Sequence, residues 1–154
     1  MLQNVDGQRY LNVSDQAGPY MTSPHGGRGL ATGDLDGDGD EDVVISNLNE
    51  PAAVLANEST HRRNWLVVRI IGRGSARSSI GAVAVAKVGG KSLTRQIRGG
   101  SSYASTSDPK LHFGCGTAKQ VDELAVQWIS GSQSILTNVP TNQVLTIIEP
   151  ARAR

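Results

Sequence analysis

The second half of the chain alternates between short apolar runs and polar, glycine-rich connections, a pattern typical of β-strands joined by turns. Adjacent glycines at Gly89 and Gly90 supply the positive φ angles of a tight hairpin, so residues 87–91 are predicted to join two paired strands. Seven such runs predict an antiparallel β-sandwich over residues 61–150. The predicted strands cover residues 65–71, 80–88, 93–97, 111–113, 121–128, 134–136 and 144–148.

In the first half, a β-branched run at residues 43–46 predicts a buried strand. The segment at residues 29–33 contains two glycines and is a poor helix former. An acidic stretch lies between these two segments, and the pattern therefore predicts a loop that joins two strands. Both halves of the chain are accordingly predicted to be all-β.

Residues 34–42 carry an acidic side chain at every second position, with Glu41 in addition. Carboxylates at this spacing repel one another unless a cation lies between them. Calcium takes about six to eight oxygen ligands, and a tight loop can supply them from alternate positions. Gly39 permits the sharp reversal that such a loop needs. The predicted ligands of one Ca²⁺ ion are Asp34, Asp36, Asp38, the main-chain carbonyl of Asp40, and Asp42.

An EF-hand is the main alternative for an acidic loop of this kind. That motif needs flanking helices and a bidentate Glu at loop position 12, where this chain has Ile45 in a predicted strand. A merely solvated acidic turn would not require the regular spacing or the glycine. Magnesium is a weaker alternative to calcium, because it prefers few protein ligands and keeps several waters.

Composition and charge divide the chain in two. The 154 residues are 38% hydrophobic but only 4% aromatic, so any core is aliphatic, and the lone Cys115 is expected to be a small buried hydrophobe. Residues 1–60 hold ten acidic and two basic side chains, a net charge of −8, whereas the remainder holds thirteen basic and four acidic, a net charge of +9. This break predicts one domain at residues 1–60 and a second at 61–150. The opposite charges favour docking of the two across the boundary near residues 58–63.

The first half resembles an FG-GAP (VCBS-type) β-propeller repeat. The resemblance rests on Asp6 and Gly7, residues 12–18, residues 29–33 and the acidic loop. It implies a calcium-binding strand–loop–strand unit whose ligands are the same five positions of the loop. In that family several repeats form a propeller, whereas this chain holds one such loop and corresponds to a partial propeller.

The second half resembles the ASPIC/UnbV domain over nearly its full length. The resemblance implies a transthyretin-like β-sandwich that usually follows an FG-GAP propeller at the C-terminus of secreted or surface proteins, and it implies no defined activity. Thr106 and Ile129 depart from the family's usual Gln and Pro, and neither change affects the expected fold. The matching segments are residues 64–68, 77–82, 96–98, 100–105, 112–116 and 128–131.

Catalytic chemistry has little support in the sequence, and we expect the chain not to be an enzyme. No Ser–His–Asp pattern, zinc-ligand spacing or phosphate-binding glycine loop before a helix is present. His112 is expected to be a hydrogen-bonded structural residue, His25 a surface residue and His61 part of a linker. The enzymatic alternative is an accessory domain or hydrolase whose site lies near residues 101–103 and His112.

Basic residues are dense in the second half and could align along one face, so a polyanion- or carbohydrate-binding module is a further alternative. An ordinary solvated strand face, or pairing with the acidic first half, is the preferred interpretation. Nucleic acid is the least favoured ligand, because no recognition motif is present and aromatic residues are too few for base stacking. The basic set comprises Arg69, Arg73, Arg77, Lys87, Lys91, Arg95 and Arg98.

Together these features predict a calcium-stabilised, non-enzymatic recognition or adhesion module, extracellular or in the cell envelope by resemblance, with an unidentified protein or glycan partner. No stretch approaches the roughly 20 apolar residues of a membrane span. Residues 1–6 lack the basic start and apolar core of a signal peptide. We expect the chain to be the C-terminal piece of a larger propeller protein, or a truncated descendant that self-associates through residues 1–60.

Overall fold

The computed structural model describes residues 1–58, 63–73 and 77–151, so the predicted linker residue His61 lies outside the described residues. The chain is all-β, as predicted, with two short 3₁₀ turns at Ser14–Gln16 and Pro19–Thr22. The strands in the described residues are β1 (Leu2–Val5), β2 (Arg9–Asn12), β3 (Gly27–Gly33), β4 (Asp42–Asn47), β5 (Ala53–Leu55), β6 (Asn64–Ile71), β7 (Val83–Val88), β8 (Lys91–Gln96), β9 (Leu111–Gly116), β10 (Gln120–Gln127), β11 (Gln133–Pro140) and β12 (Gln143–Ile148).

The strand positions predicted for the second half are confirmed to within a few residues. β7 and β8 form the hairpin predicted at residues 87–91, with φ angles of 55° and 75° at its two glycines. The prediction is wrong at Ile80 and Gly81, which lie in a turn before β7. Ser79 and Gly81 have φ angles of 51° and 97°, which are incompatible with an extended strand.

The hairpin formed by β1 and β2 was not predicted from the apolar pattern. Its strands are exposed along nearly their whole length, so they carry no alternation of buried and solvated side chains. Asp6 and Gly7 form the turn with φ angles of 54° and 71°. An Asp-Gly pair is a strong local signal for a tight hairpin, and it is the feature that identifies this one.

Two sheets of the second half enclose the main core. One sheet has the strand order β11-β10-β7-β8, and the other has the order β12-β6-β9. Buried side chains from both sheets form one cluster that is largely aliphatic, as the composition predicts, and Phe113 is the largest fully buried side chain in it. Cys115 lies in this cluster, as predicted, and burial raises the pKa of its thiol.

The pairing of β12 with β6 is parallel, so the prediction of an entirely antiparallel arrangement is wrong at this position. The short turn after β11 carries the chain into the other sheet rather than back along β11, so β12 pairs with β6 instead of forming a hairpin. Asn142 precedes Gln143 at the start of β12. The Asn142 side-chain carbonyl accepts a hydrogen bond from Trp65 N at 3.1 Å, and its amide donates to Asn64 Oδ1 at 2.9 Å. These bonds hold the start of β12 beside the start of β6, and the two strands therefore run in the same direction.

The first half has almost no apolar interior of its own. It consists of the three-stranded sheet β3-β4-β5 and the β1–β2 hairpin. Ile45 on β4, 8% exposed, is the one buried apolar side chain among the described residues 1–58. Large apolar side chains such as Leu2, Tyr10 and Val54 are exposed. A small sheet without a buried face is marginally stable alone, so this half depends on contacts outside itself.

The free edge of β3 supplies such contacts by pairing with a loop of the second half. Asp108 N donates to the Thr32 carbonyl at 2.9 Å, and Thr32 N donates to Ser107 Oγ at 3.1 Å. Ser105 Oγ donates to the Leu30 carbonyl at 2.9 Å. Within the described ranges no ion pair joins the two halves, so the docking expected from their opposite charges is made by hydrogen bonds.

The contact between β3 and this loop predicts a specific effect of a methyl group at Gly29. A Cβ built there lies 2.8 Å from the Tyr103 carbonyl oxygen and 2.9 Å from Ser46 Oγ. We expect Gly29→Ala to lower the free energy of unfolding by about 1–3 kcal/mol, because the halves must move apart to admit the methyl group. Chemical denaturation measures the change.

Gly27 on the same strand provides a matched control, since a Cβ there comes no closer than 3.6 Å to any neighbouring atom. Gly27→Ala is expected to change the free energy of unfolding by less than about 1 kcal/mol. Equal losses in the two variants would contradict the contact, since they would trace the effect to the strand backbone itself.

Candidate functional site

The acidic loop lies between β3 and β4, as predicted, and Asp42 is the first residue of β4. One carboxylate oxygen from each of Asp34, Asp36 and Asp42 lies within 4.8 Å of the other two. Two oxygens bound to one Ca²⁺ ion are at most about 5 Å apart, since each bond is about 2.3–2.6 Å long. The three carboxylates are therefore close enough to share one ion, and an all-oxygen donor set suits a hard cation.

Asp34 folds the loop back on itself. Its Oδ1 accepts a hydrogen bond from Gly37 N at 2.7 Å, and its Oδ2 accepts one from Gly39 N at 3.1 Å. The two glycines have φ angles of 83° and 95°, which a side chain would strain. Hydrogen bonds within the loop thus determine its shape, and they hold the Asp34 carboxylate at the start of the loop.

Asp42 anchors the other end of the loop. It is only 5% exposed, and its two oxygens accept hydrogen bonds from Leu35 N at 2.9 Å and Asn57 N at 2.8 Å. A carboxylate has about four lone-pair sites, so these two bonds leave capacity for a cation. Asp42 therefore combines a structural role with a position in the carboxylate group.

Asp38 and Asp40 are placed differently from the other three predicted ligands. Neither belongs to the group of converging carboxylates, and Asp38 is exposed, with its Oδ1 accepting a hydrogen bond from Asp40 N at 2.9 Å. Partial burial, followed by repulsion from Asp38, Asp34, Asp42 and Asp36, raises the pKa of the Asp40 carboxyl. The ligand roles of the Asp38 side chain and the Asp40 main chain stay predictions.

The tip of the loop packs against the second half. Gly39 is buried, and a Cβ built on it would lie 2.1–2.3 Å from three atoms of the Trp65 indole ring. Trp65 belongs to β6, and its ring lies where a side chain at position 39 would otherwise be. The shape of the acidic loop is therefore tied to the contact between the two halves. The sequence identified Gly39 as a turn residue but carried no signal for this contact.

Neither His25 nor His112 joins the carboxylate group. His25 Nδ1 lies 2.7 Å from Glu50 Oε2, and its ring stacks on Tyr20. Hydrogen bonding to His25 lowers the pKa of Glu50. The prediction for His112 is wrong, since both of its ring nitrogens are buried without a hydrogen-bond partner in the described part of the chain. Its place in β9, paired with the buried Val67 of β6, keeps the ring from the polar partner that was expected.

The serine-rich segment near residues 101–103 forms no hydrogen bond with His112 in the described residues. Ser101 Oγ instead lies 3.0 Å from Ser107 Oγ, beside the loop that pairs with β3. The expectation that the chain is not an enzyme stays a prediction.

The predicted basic set does not form one continuous face. Arg73 donates to the Glu149 carbonyl at 2.6 Å, and Lys87 forms an ion pair with Glu123 at 2.8 Å. Arg95 donates to the His112 carbonyl at 3.0 Å and lies over the Phe113 ring. A second group does converge, because Arg69, Arg77 and Arg98 line one cleft.

The protein is a two-part all-β protein, in which an acidic strand–loop–strand unit is hydrogen-bonded to a pair of β-sheets. The family model for ASPIC and UnbV matches residues 72–154, more than half of the chain, and the model for the FG-GAP repeat matches residues 26–59, which include the acidic loop. The chain belongs to the ASPIC and UnbV family, and the resemblance to both families is confirmed.

Curated relatives align with most of the chain. Cartilage acidic protein 1 from Xenopus tropicalis is 33% identical in an alignment of 132 positions that covers 76% of this chain and 20% of the relative. The protein of that name from Homo sapiens is 30% identical in an alignment of 129 positions that covers 80% of this chain and 19% of the relative. The Mus musculus protein is 32% identical in an alignment of 133 positions that covers 80% of this chain and 20% of the relative. The chain thus spans about a fifth of the length of these relatives. Across the described residues, no helix has the length and apolar character needed to cross a membrane.

The contact between the loop and Trp65 predicts that Gly39→Ala is more damaging than Gly37→Ala. Both glycines have positive φ angles, 95° and 83°, but no atom lies within 4 Å of a Cβ at Gly37. Gly37→Ala is expected to cost about 1–2 kcal/mol from the left-handed conformation alone. Gly39→Ala should cost about 1–3 kcal/mol more, because the indole ring must move. Equal destabilisation of the two variants in urea denaturation would contradict the contact.

The hydrogen bonds of Asp42 predict that it stabilises the fold without any ion. In EDTA, Asp42→Ala is expected to lower the free energy of unfolding by about 1–3 kcal/mol, because the N–H groups of Leu35 and Asn57 lose their acceptor. Asp36 accepts one exposed bond, from Asp38 N at 3.2 Å, so Asp36→Ala should stay within about 0.5 kcal/mol of the wild type. The reverse order in urea denaturation would contradict the assignment of Asp42 as the anchor.

Proposed function

We propose that the chain is a calcium-binding, non-enzymatic recognition or adhesion module. The single observation that carries this proposal is the convergence of Asp34, Asp36 and Asp42 at one end of a strand–loop–strand unit. The match of that unit to the FG-GAP repeat supports calcium as the ion. In the proposed site the Asp38 side chain and the Asp40 main chain complete the oxygen ligands.

The ion would act by bracing the loop rather than by taking part in a reaction. Partial burial, and after it repulsion from the neighbouring aspartates, raises the pKa of Asp40, and a divalent cation between the carboxylates removes that repulsion. The backbone at Gly39 packs on Trp65, so an ordered loop would also support the contact between the halves. Calcium would thus keep the two halves in one relative arrangement, so that a partner meets a single defined surface.

The proposed organisation follows the matched families. Residues 1–60 form the FG-GAP-like unit, and residues 61–150 form a transthyretin-like sandwich of seven strands. The relatives of this chain include Cartilage acidic protein 1, and we propose an extracellular or cell-envelope location with a protein or glycan partner. Exposed apolar side chains at Leu2, Tyr10 and Val54 support the first half as the surface that contacts another protein, including a second copy.

Thermal unfolding of the full chain with and without calcium tests the proposal. A ligand at a hundredfold excess over its Kd adds about 2.7 kcal/mol to the stability of the folded state. The wild type is therefore expected to melt several degrees higher in calcium than in EDTA. Asp36→Asn, which keeps the side-chain size and removes one charged ligand, should lose most of this difference.

Glu41→Gln is the matched control, because Glu41 lies in the same loop, outside the carboxylate group, and its Oε1 accepts only a 3.3 Å bond from Thr32 Oγ1. It removes the same charge and should keep the calcium response. Identical melting of the wild type in calcium and in EDTA, after removal of the metal is verified by elemental analysis, would overturn the proposed site. A loss in Glu41→Gln equal to that in Asp36→Asn would show non-specific charge screening instead.

A further inference from the structure

A cleft of about 690 Å³ lies in the second half, on the side of β6 where Arg69 projects. The turn before β7 contributes Arg77 and Ile80, the segment after β8 contributes Arg98, and the approach to β9 contributes Lys110. Two segments that carry the ASPIC/UnbV resemblance, residues 77–82 and 96–98, therefore meet in its walls.

The charges in the cleft are unbalanced. Lys110 Nζ forms an ion pair with Asp108 Oδ2 at 2.8 Å. Burial alone would raise the pKa of Asp108, but hydrogen bonds from Lys110 outweigh it and lower the pKa. Over the described ranges, no carboxylate lies within ion-pair distance of Arg69, Arg77 or Arg98. Arg69, Arg77 and Arg98 thus line one cleft without an ion-pair partner among the described residues, and the one carboxylate in its lining, Asp108, is paired with Lys110.

The arginines stand on well-held backbone. Arg69 lies between the buried Val68 and Ile70 on β6, so its side chain points away from the core. The turn that bears Arg77 is tied to the segment that bears Arg98, because Gly81 N donates to the Ile97 carbonyl at 2.8 Å. Ile97 N in turn donates to the Ala82 carbonyl at 3.0 Å. These two bonds hold the end of the turn beside Ile97, the residue before Arg98, and a pre-ordered backbone lowers the ordering cost of binding.

We propose that this cleft binds an oxyanionic group, a carboxylate, sulfate or phosphate, carried by a compact organic ligand. Guanidinium groups present planar pairs of donors that match such groups, and charge-assisted bonds of this kind are stronger than neutral hydrogen bonds. A cavity of about 300–1,000 Å³ is typical of small-molecule sites. The exposed Ile80 and the ring of Pro109 offer an apolar wall for the body of the ligand.

The lining of the cleft also limits the ligand class. None of the described residues that line it is aromatic, so the stacking that a nucleobase needs is missing. Its size exceeds that of a single inorganic ion, which favours an anionic group on a larger body such as an acidic saccharide. The cleft contains none of the proposed calcium ligands, although Thr106 and Asp108 in its wall belong to the loop that pairs with β3.

Isothermal titration of the full chain in EDTA tests the proposal with four probes at constant ionic strength: sulfate, phosphate, a sulfated heparin disaccharide and its unsulfated counterpart. Saturable binding of at least one probe is expected. Tighter binding of a disaccharide than of either inorganic ion is expected, and equally tight binding of an inorganic ion would overturn the organic body of the proposed ligand. No saturable binding of any probe would overturn the site.

Single substitutions then locate the binding. Arg98→Gln and Arg77→Gln are each expected to weaken binding about tenfold or more, since each removes charge-assisted bonds. Lys91→Gln on the β7–β8 hairpin removes the same charge outside the cleft and should change the affinity less than about twofold. Equal weakening by Lys91→Gln and both arginine variants would overturn the proposal, because it would show diffuse attraction to a basic surface. Circular dichroism verifies that each variant is folded.

Discussion

A first half that cannot bury its own apolar face is the constraint on which the rest of the molecule depends. Ile45 is the one buried apolar side chain in the described residues 1–58, whereas two sheets of the second half enclose a large shared cluster. The free edge of β3 must also satisfy its backbone groups. On β3, the backbone groups of Thr32 and the carbonyl of Leu30 form hydrogen bonds with the loop at residues 105–108. The second half therefore supplies both the core and the edge partner that the first half lacks.

The acidic loop is subject to the same constraint, with electrostatic repulsion added to it. Asp34 and Asp42 each use both carboxylate oxygens to hold backbone N–H groups, so the loop keeps its shape through bonds that an ion does not provide. Repulsion between the carboxylates remains, and together with partial burial, the larger cause, it raises the pKa of Asp40. Since the Gly39 backbone packs on Trp65, relief of that repulsion and docking of the halves favour the same conformation. Any ion that binds the ordered loop would by linkage favour the docked state as well.

Sequence patterns predicted the features that are local in the chain. The spacing in residues 34–42 predicted the loop between two strands, and Gly89 with Gly90 predicted the β7–β8 hairpin. Contacts between distant residues carried no such signal. Thr32 and Ser107 are 75 positions apart, and the pairing of β3 with that loop depends on how the halves meet. The parallel pairing of β12 with β6 likewise joins distant residues, since Asn142 and Trp65 are hydrogen-bonded across 77 positions of the chain.

The separation of charge between the halves fits the two proposed ligand sites better than it fits an attraction between the halves. Opposite charges that served docking would meet at the interface, yet the described contacts there are hydrogen bonds of backbone and serine groups. Asp108 lies at the interface and is neutralised by Lys110 of its own half. Three carboxylates converge in the acidic loop, and three arginines without an ion-pair partner among the described residues line the cleft. Each concentration of like charge leaves the fold with repulsion that a counter-ion from solution can relieve, a cation in the first half and an oxyanion in the second.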